Sequence, residues 1–142
     1  MPHAVTFIEL LFVIIIIGIL AGLSIPKFRS TFNTLQLNNF SRELQTFMNY
    51  LQQRAIVEGK TVYLNIDNDN NEYWAQIKDG ENRLKTYQVP GEIEIEIEQK
   101  QIAFYPDGSI DKTTIELINP DNQYINLTTK GVFGGVKLQY KE

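Results

Sequence analysis

The chain has 142 residues, 43% hydrophobic and 21% charged, with 13 Lys+Arg against 17 Asp+Glu and a net charge of -4. That length fits one domain with an appended segment and leaves no room for a second enzyme-sized unit. There is no Cys and the only His is His3, so thiol nucleophiles, thiolate zinc sites, disulfide frameworks and His-based triads lack their reagents, and the acidic balance argues against nucleic acid as a partner.

Charge is placed unevenly. Residues 1–58 carry four cations and three anions, whereas residues 59–142 carry nine and fourteen, a first sign of two-part organisation. Between Val5 and Ile25 the only charged residue is Glu9, and Leu10 to Leu23 has no polar side chain. As a helix rising ~1.5 Å per residue, this stretch reaches about 31 Å, enough to cross a hydrocarbon core. A secretory signal would bring a basic n-region and a shorter apolar core. A plain anchor gives no reason for an acid near its start, where a charge at bilayer depth costs up to ~2.5–3.5 kcal/mol. Four consecutive isoleucines, with apolar residues on every face, argue against a buried helix of a soluble protein. Gly18, Gly22 and Pro26 recur every four residues and weaken the helix, which predicts a bend or a locally melted turn. The Gly18-x-x-x-Gly22 spacing equally fits a close-packing face.

From Lys27 to about Glu58, apolar residues recur at Phe28, Phe32, Leu35, Phe40, Leu44, Phe47, Leu51 and Ala55 in steps of mostly three or four. The spacing predicts an amphipathic helix with one packing stripe, continuous with the span and stopped by Gly59.

The remaining residues read as short strands: Thr61–Ile66, Glu72–Ile77, Arg83–Val89, Glu92–Glu98, Gln101–Tyr105, Thr113–Ile118, Tyr124–Thr128 and Val132–Tyr140. Turn chemistry separates them at Asp67–Asn71, Asp79-Gly80, Pro90-Gly91, Pro106-Asp107-Gly108, Asn119-Pro120-Asp121 and Lys130-Gly131. The run Glu92 to Glu98 alternates Glu and Ile, placing isoleucines on a core and glutamates outside. Asp67 to Glu72 begins like a calcium loop, but Glu72 stands at the glycine position and Lys78 where the bidentate acid belongs, so a hairpin turn is the better reading. No cofactor or metal site is expected. With no Cys, with His3 as its one His and with few serines that have no evident base, the chain is not read as an enzyme.

Val5-Thr6-Phe7-Ile8-Glu9-Leu10-Leu11, the aliphatic run after it and Pro26, seventeen residues beyond Glu9, resemble the N-terminal signature of type IV pilins and type II secretion pseudopilins. Ile102-Ala103-Phe104-Tyr105-Pro106-Asp107-Gly108-Ser109, Thr113 to Leu117 and Thr129 to Leu138 resemble the closing strands of the GspH/FimT minor pseudopilin family. Ala4 stands where that pattern has glycine, Val5 where it has phenylalanine, and Val132 where arginine is common; the leader Met1 to Ala4 is short and has no Lys or Arg.

The resemblance implies an α+β pilin-like fold, a long N-terminal helix, transmembrane in its first half, packed on an antiparallel β-sheet domain. It divides the chain into a leader (1–4), a transmembrane and assembly helix (5–26), an amphipathic half (27–58) and a β domain (59–142). It further implies cleavage by prepilin peptidase between Ala4 and Val5, N-methylation of Val5, and assembly through Glu9 facing the terminal amine of a neighbouring subunit. In the alternative, Glu9 serves the positive end of its own helix dipole. The implied function is that of a structural minor pseudopilin of a type II secretion pseudopilus or a type IV pilus, acting in filament initiation or tip assembly and protein secretion. A major or competence-type pilin and a tip-binding or DNA-uptake minor pilin are the alternatives. Its partners would be other pseudopilins or pilins, the peptidase, the inner-membrane assembly platform and, before assembly, membrane lipid. Its place would be the inner membrane, single-pass, with the soluble domain in the periplasm, although Lys27 and Arg29 after the span weakly oppose that orientation by charge counting.

Overall fold

The computed structural model describes residues 5–78, 80, 83–131 and 135–140, with the backbone alone at Pro26. Ala4 of the expected cleavage pair, Asp79 of one expected turn and Val132 to Gly134 of the expected last strand lie outside the described residues. A helix, α1 (Phe7–Glu58), precedes eight strands: β1 (Val62–Asp67), β2 (Glu72–Ile77), β3 (Arg83–Gln88), β4 (Glu94–Ile97), β5 (Gln101–Phe104), β6 (Thr114–Ile118), β7 (Tyr124–Thr129) and β8 (Val136–Tyr140).

The helix starts where Thr6, extended at φ -74° and ψ 149°, turns its hydroxyl to accept the Glu9 amide at 3.4 Å. It stops at Gly59, whose φ of 64° is left-handed and suits a residue without Cβ. Between them 52 residues run without interruption, about 78 Å at ~1.5 Å per residue. The locally melted turn expected around Gly18, Gly22 and Pro26 is therefore absent from the single chain. Proline removes one donor from the ladder, and the aliphatic neighbours on either side keep the rest of the helix.

The strands form two antiparallel four-stranded sheets, ordered β3-β2-β1-β5 and β4-β6-β7-β8. The chain changes sheet between β3 and β4, returns for β5, and changes again before β6. Successive strands therefore cross from one sheet to the other around a shared core instead of extending a single sheet. The β1–β2 connection is a hairpin turn: the Asp67 carboxylate accepts the amides of Asp69 at 3.0 Å and Asn70 at 3.3 Å, and Asn71 takes φ 52°. Asp107 closes the β5–β6 turn in the same way, accepting the Ser109 amide at 2.9 Å while Gly108 takes φ 87°. At β4 the alternation is as the sequence reads it, with Ile93 just before the strand and Ile95 within it buried and Glu94 and Glu96 exposed.

The second half of α1 lies against strands of both sheets. Its buried face is Leu37, Phe40, Ser41, Leu44, Met48, Leu51 and Ala55, which meets Val62 and Leu64 of β1, Ile102 and Phe104 of β5, and Ile115, Leu117 and Leu127 of the other sheet. Two amides fasten the helix at the edges: Gln45 donates to the Val136 carbonyl at 2.8 Å and Gln52 to that of Gly108 at 2.6 Å. Phe40, Leu44, Leu51 and Ala55 are where the periodicity places them, and Phe47 is partly buried against the same core. Phe28, Phe32 and Leu35 are not; they are 76%, 56% and 55% exposed. A step of five from Leu35 to Phe40 turns the helix about 140° beyond a full revolution, so the upstream aromatics belong to a different face.

Candidate functional site

The described side chains of the first half of α1 are exposed throughout. Its most apolar 18-residue window has a mean hydropathy of 2.8 and 0% of it is buried within the chain. Such a surface is stable only in lipid or against other apolar helices. Val5 is 69% exposed, and Glu9, the one acid of the first turn, is exposed as well. Thr6 and Glu9 stand at the N-cap and third helical positions, the spacing of a capping box, and the Thr6 half of it is made. Thr6 also accepts the Glu9 and Leu10 amides through its carbonyl, at 3.0 and 3.2 Å. Among the described residues the Glu9 carboxylate makes no hydrogen bond back to the chain, which leaves its charge on the surface of an otherwise oily rod.

A Cβ at Gly18 or Gly22 would meet no heavy atom within 4 Å beyond the adjoining helix backbone, so within one chain neither forms a close approach. The apolar surface continues past the span. Ser24, Ile25, Phe28, Arg29 and Phe32 line a shallow apolar depression on the side of α1 turned away from the buried stripe. Periodicity alone takes these aromatics for core; the reversal of phase at Asn38-Asn39 is the signal that separates them.

A second feature escapes sequence reasoning altogether. Tyr73 of β2 pairs with Tyr87 of β3 across the strands, and their rings stack 5.3 Å apart. Phe47 of α1 meets Tyr87 edge-on at 4.9 Å and Tyr73 at 5.8 Å. With Tyr50, Arg42, Glu43 and Thr46 they line an open groove of about 580 Å³ between the helix and the β2–β3 hairpin. Burial foremost, then the nearby Glu43 charge and Tyr87, raises the Tyr73 phenol above its ordinary value of 10.0. The folded state thus favours the neutral phenol: its contribution is complete below pH 10 and is lost as pH rises from there toward the raised value. Tyr73→Phe should flatten the alkaline limb of the stability curve and change stability at neutral pH by about 1 kcal/mol or less. Chemical denaturation at a series of pH values measures both; an alkaline limb identical to that of the parent chain would contradict the assignment.

The arrangement of one long helix, bare at its start and docked at its end on antiparallel sheets, is a pilin-like fold. Residues 41–131 match the family of type II transport protein GspH, and the chain belongs to that family. The match begins within the docked half of α1 and ends after β7, so the N-terminal span and Glu9 stand outside it. The minor pseudopilin EpsH from the type 2 secretion system of Vibrio cholerae is similar in structure, with a TM-score of 0.62 at 14% identity, covering 74% of this chain and 97% of that one. The type IV minor pilin FimU of Pseudomonas aeruginosa is similar with a TM-score of 0.61 at 10% identity, covering 77% and 90%. No curated protein sequence matches the chain.

Proposed function

We propose that the chain is a minor pseudopilin subunit of a type II secretion pseudopilus or a type IV pilus, structural and not catalytic, acting in filament initiation or tip assembly. The observation that carries this reading is a span with 0% of its most apolar window buried, joined in one helix to a docked half on which the GspH family match begins. The span needs lipid before assembly and other pilin-like helices after it. The soluble domain would stand in the periplasm and the span in the inner membrane, with the assembly platform and prepilin peptidase as transient partners.

In this reading the peptidase cuts between Ala4 and Val5, and N-methylated Val5 becomes the new terminus. Its ammonium meets Glu9 of a neighbouring subunit, since a carboxylate inside a dry bundle is tolerable only beside a counter-charge. Gly18, Gly22 and Pro26, continuous in the single chain, supply the weak region where the helix bends as it packs. Mass spectrometry of the chain extracted from filament-producing cells tests the processing: the expected N-terminus is N-methylated Val5, in a chain that co-purifies with filaments. A chain that still begins at Met1 and is missing from filaments would contradict the proposal.

A further inference from the structure

We propose that the turn of α1 just beyond the span, Lys27-Phe28-Arg29 with Phe32, seats in the headgroup layer of a bilayer containing anionic phospholipid and holds the soluble domain at the membrane before assembly. The proposal rests on the lipid-embedded stage of the reading above. It gives a role to two cations that charge counting leaves unexplained at that end of the span.

The lipid-facing surface does not end with the span. Phe28 and Phe32 are 76% and 56% exposed, and with Ile25 and Arg29 they line one depression continuous with the oily rod. In an upright helix Phe28 stands three residues past Ile25 and Phe32 seven, about 4.5 and 10.5 Å at ~1.5 Å per residue. Each headgroup layer is about 5–7.5 Å deep. Long helical side chains lean toward the N-terminus, here toward the membrane, and spanning helices tilt by about 20° on average. Phe28 is thus within the layer outright, and Phe32 reaches its outer part once the helix tilts toward that side.

Charge decides which side goes down. At about 100° per residue Lys27 and Arg29 flank Phe28, one on each side, an arrangement in which cations extend to phosphates while their stems cover an apolar centre. Both are exposed, and among the described residues neither has an ion-pair partner. No acid occurs from Leu10 to Arg42. The domain docks on the side turned away from the aromatics and begins at once: Asn33 donates to Asp121 at 3.1 Å and Thr34 to Gln123 at 2.7 Å, which brings the β6–β7 turn down to their level. With nine cations against fourteen anions after residue 58, the domain is repelled by an anionic surface. The aromatic side therefore settles into the headgroups, and Asp121 is lifted away from them.

Full-length Phe32→Trp and Tyr50→Trp chains test the seat. Both positions are exposed, so the fold is kept. The chains are reconstituted into vesicles of phosphatidylcholine and phosphatidylglycerol in which a share of the lipid is brominated close to the headgroup. Quenching of tryptophan reports contact with the brominated carbons, and the parent chain supplies the contribution of Trp74. The expected result is strong quenching at position 32 and none beyond the parent at position 50, about 27 Å farther along the helix. Arg29→Gln in the Phe32→Trp chain should lower the ratio of seated to free turn about fivefold in these vesicles, and far less in phosphatidylcholine alone.

Equal quenching at positions 32 and 50 would overturn the seat, and so would quenching at 32 that Arg29→Gln leaves unchanged in anionic vesicles. Either result leaves the assembly reading standing as long as the chain floats with the vesicles. A chain that fails to float with them would remove the seat and the membrane reading together.

Discussion

Glu9→Ala is expected to leave the chain inserted in the membrane and to remove it from filaments. Insertion should be no worse, because the substitution deletes a charge that costs up to ~2.5–3.5 kcal/mol at bilayer depth. Assembly should suffer because the neighbouring ammonium loses its counter-ion in a dry bundle. Breaking a buried pair from one side costs about 3–5 kcal/mol, a loss of roughly two to three and a half powers of ten in incorporation. If Glu9 only served the dipole of its own helix, the cost would be about 0.3–1 kcal/mol, a factor of roughly five at most. The two roles are far enough apart for immunoblots of membrane and filament fractions to separate them. Among the described residues the half-made capping box at Thr6 gives the carboxylate no second employment.

Leu44→Ala should destabilise the folded domain by about 3 kcal/mol, because the side chain is 0% exposed where the helix meets both sheets and its loss opens a cavity. For a domain of this size the midpoint of thermal unfolding should fall by about 10 °C. Phe32→Ala, at a position 56% exposed, should change stability by about 0.5 kcal/mol or less. The comparison is sharp, because a single continuous stripe would make both residues core and give them similar costs. Fluorescence of Trp74, the one tryptophan, follows unfolding of the detergent-solubilised chain. Equal losses for the two variants would show that Phe32 is packed in the core after all.

Much of the fold is legible in the residues. The span follows from composition, and Gly59 ends the helix. The strand runs lie within a few residues of β1 to β8, because turn residues with special backbone needs, such as Asp67, Asn71 and Gly108, punctuate them. The helix stripe was legible only in part. Phe28, Phe32 and Leu35 keep helical spacing, but the five-residue step to Phe40 changes the face, and spacing read without phase joins two surfaces into one. The division into two sheets was not legible, since only Glu98, Gln99 and Lys100 separate β4 from β5, a length that equally suits a hairpin. The Tyr73–Tyr87 stack depends on the register of β2 against β3, which spans the Trp74/Gln76 bulge and is set by tertiary packing. Glu9 stood out in the sequence because an acid in an apolar run demands a partner, and no partner within the described chain meets that demand.

The most direct measurement is the structure of the assembled filament at a resolution that shows side chains. The account predicts the Glu9 carboxylate within about 4 Å of the terminal amine of a neighbouring subunit, shielded from lipid and water. A Glu9 side chain turned to lipid, to water or back to the amide of its own Thr6, with the neighbouring amine elsewhere, would contradict it.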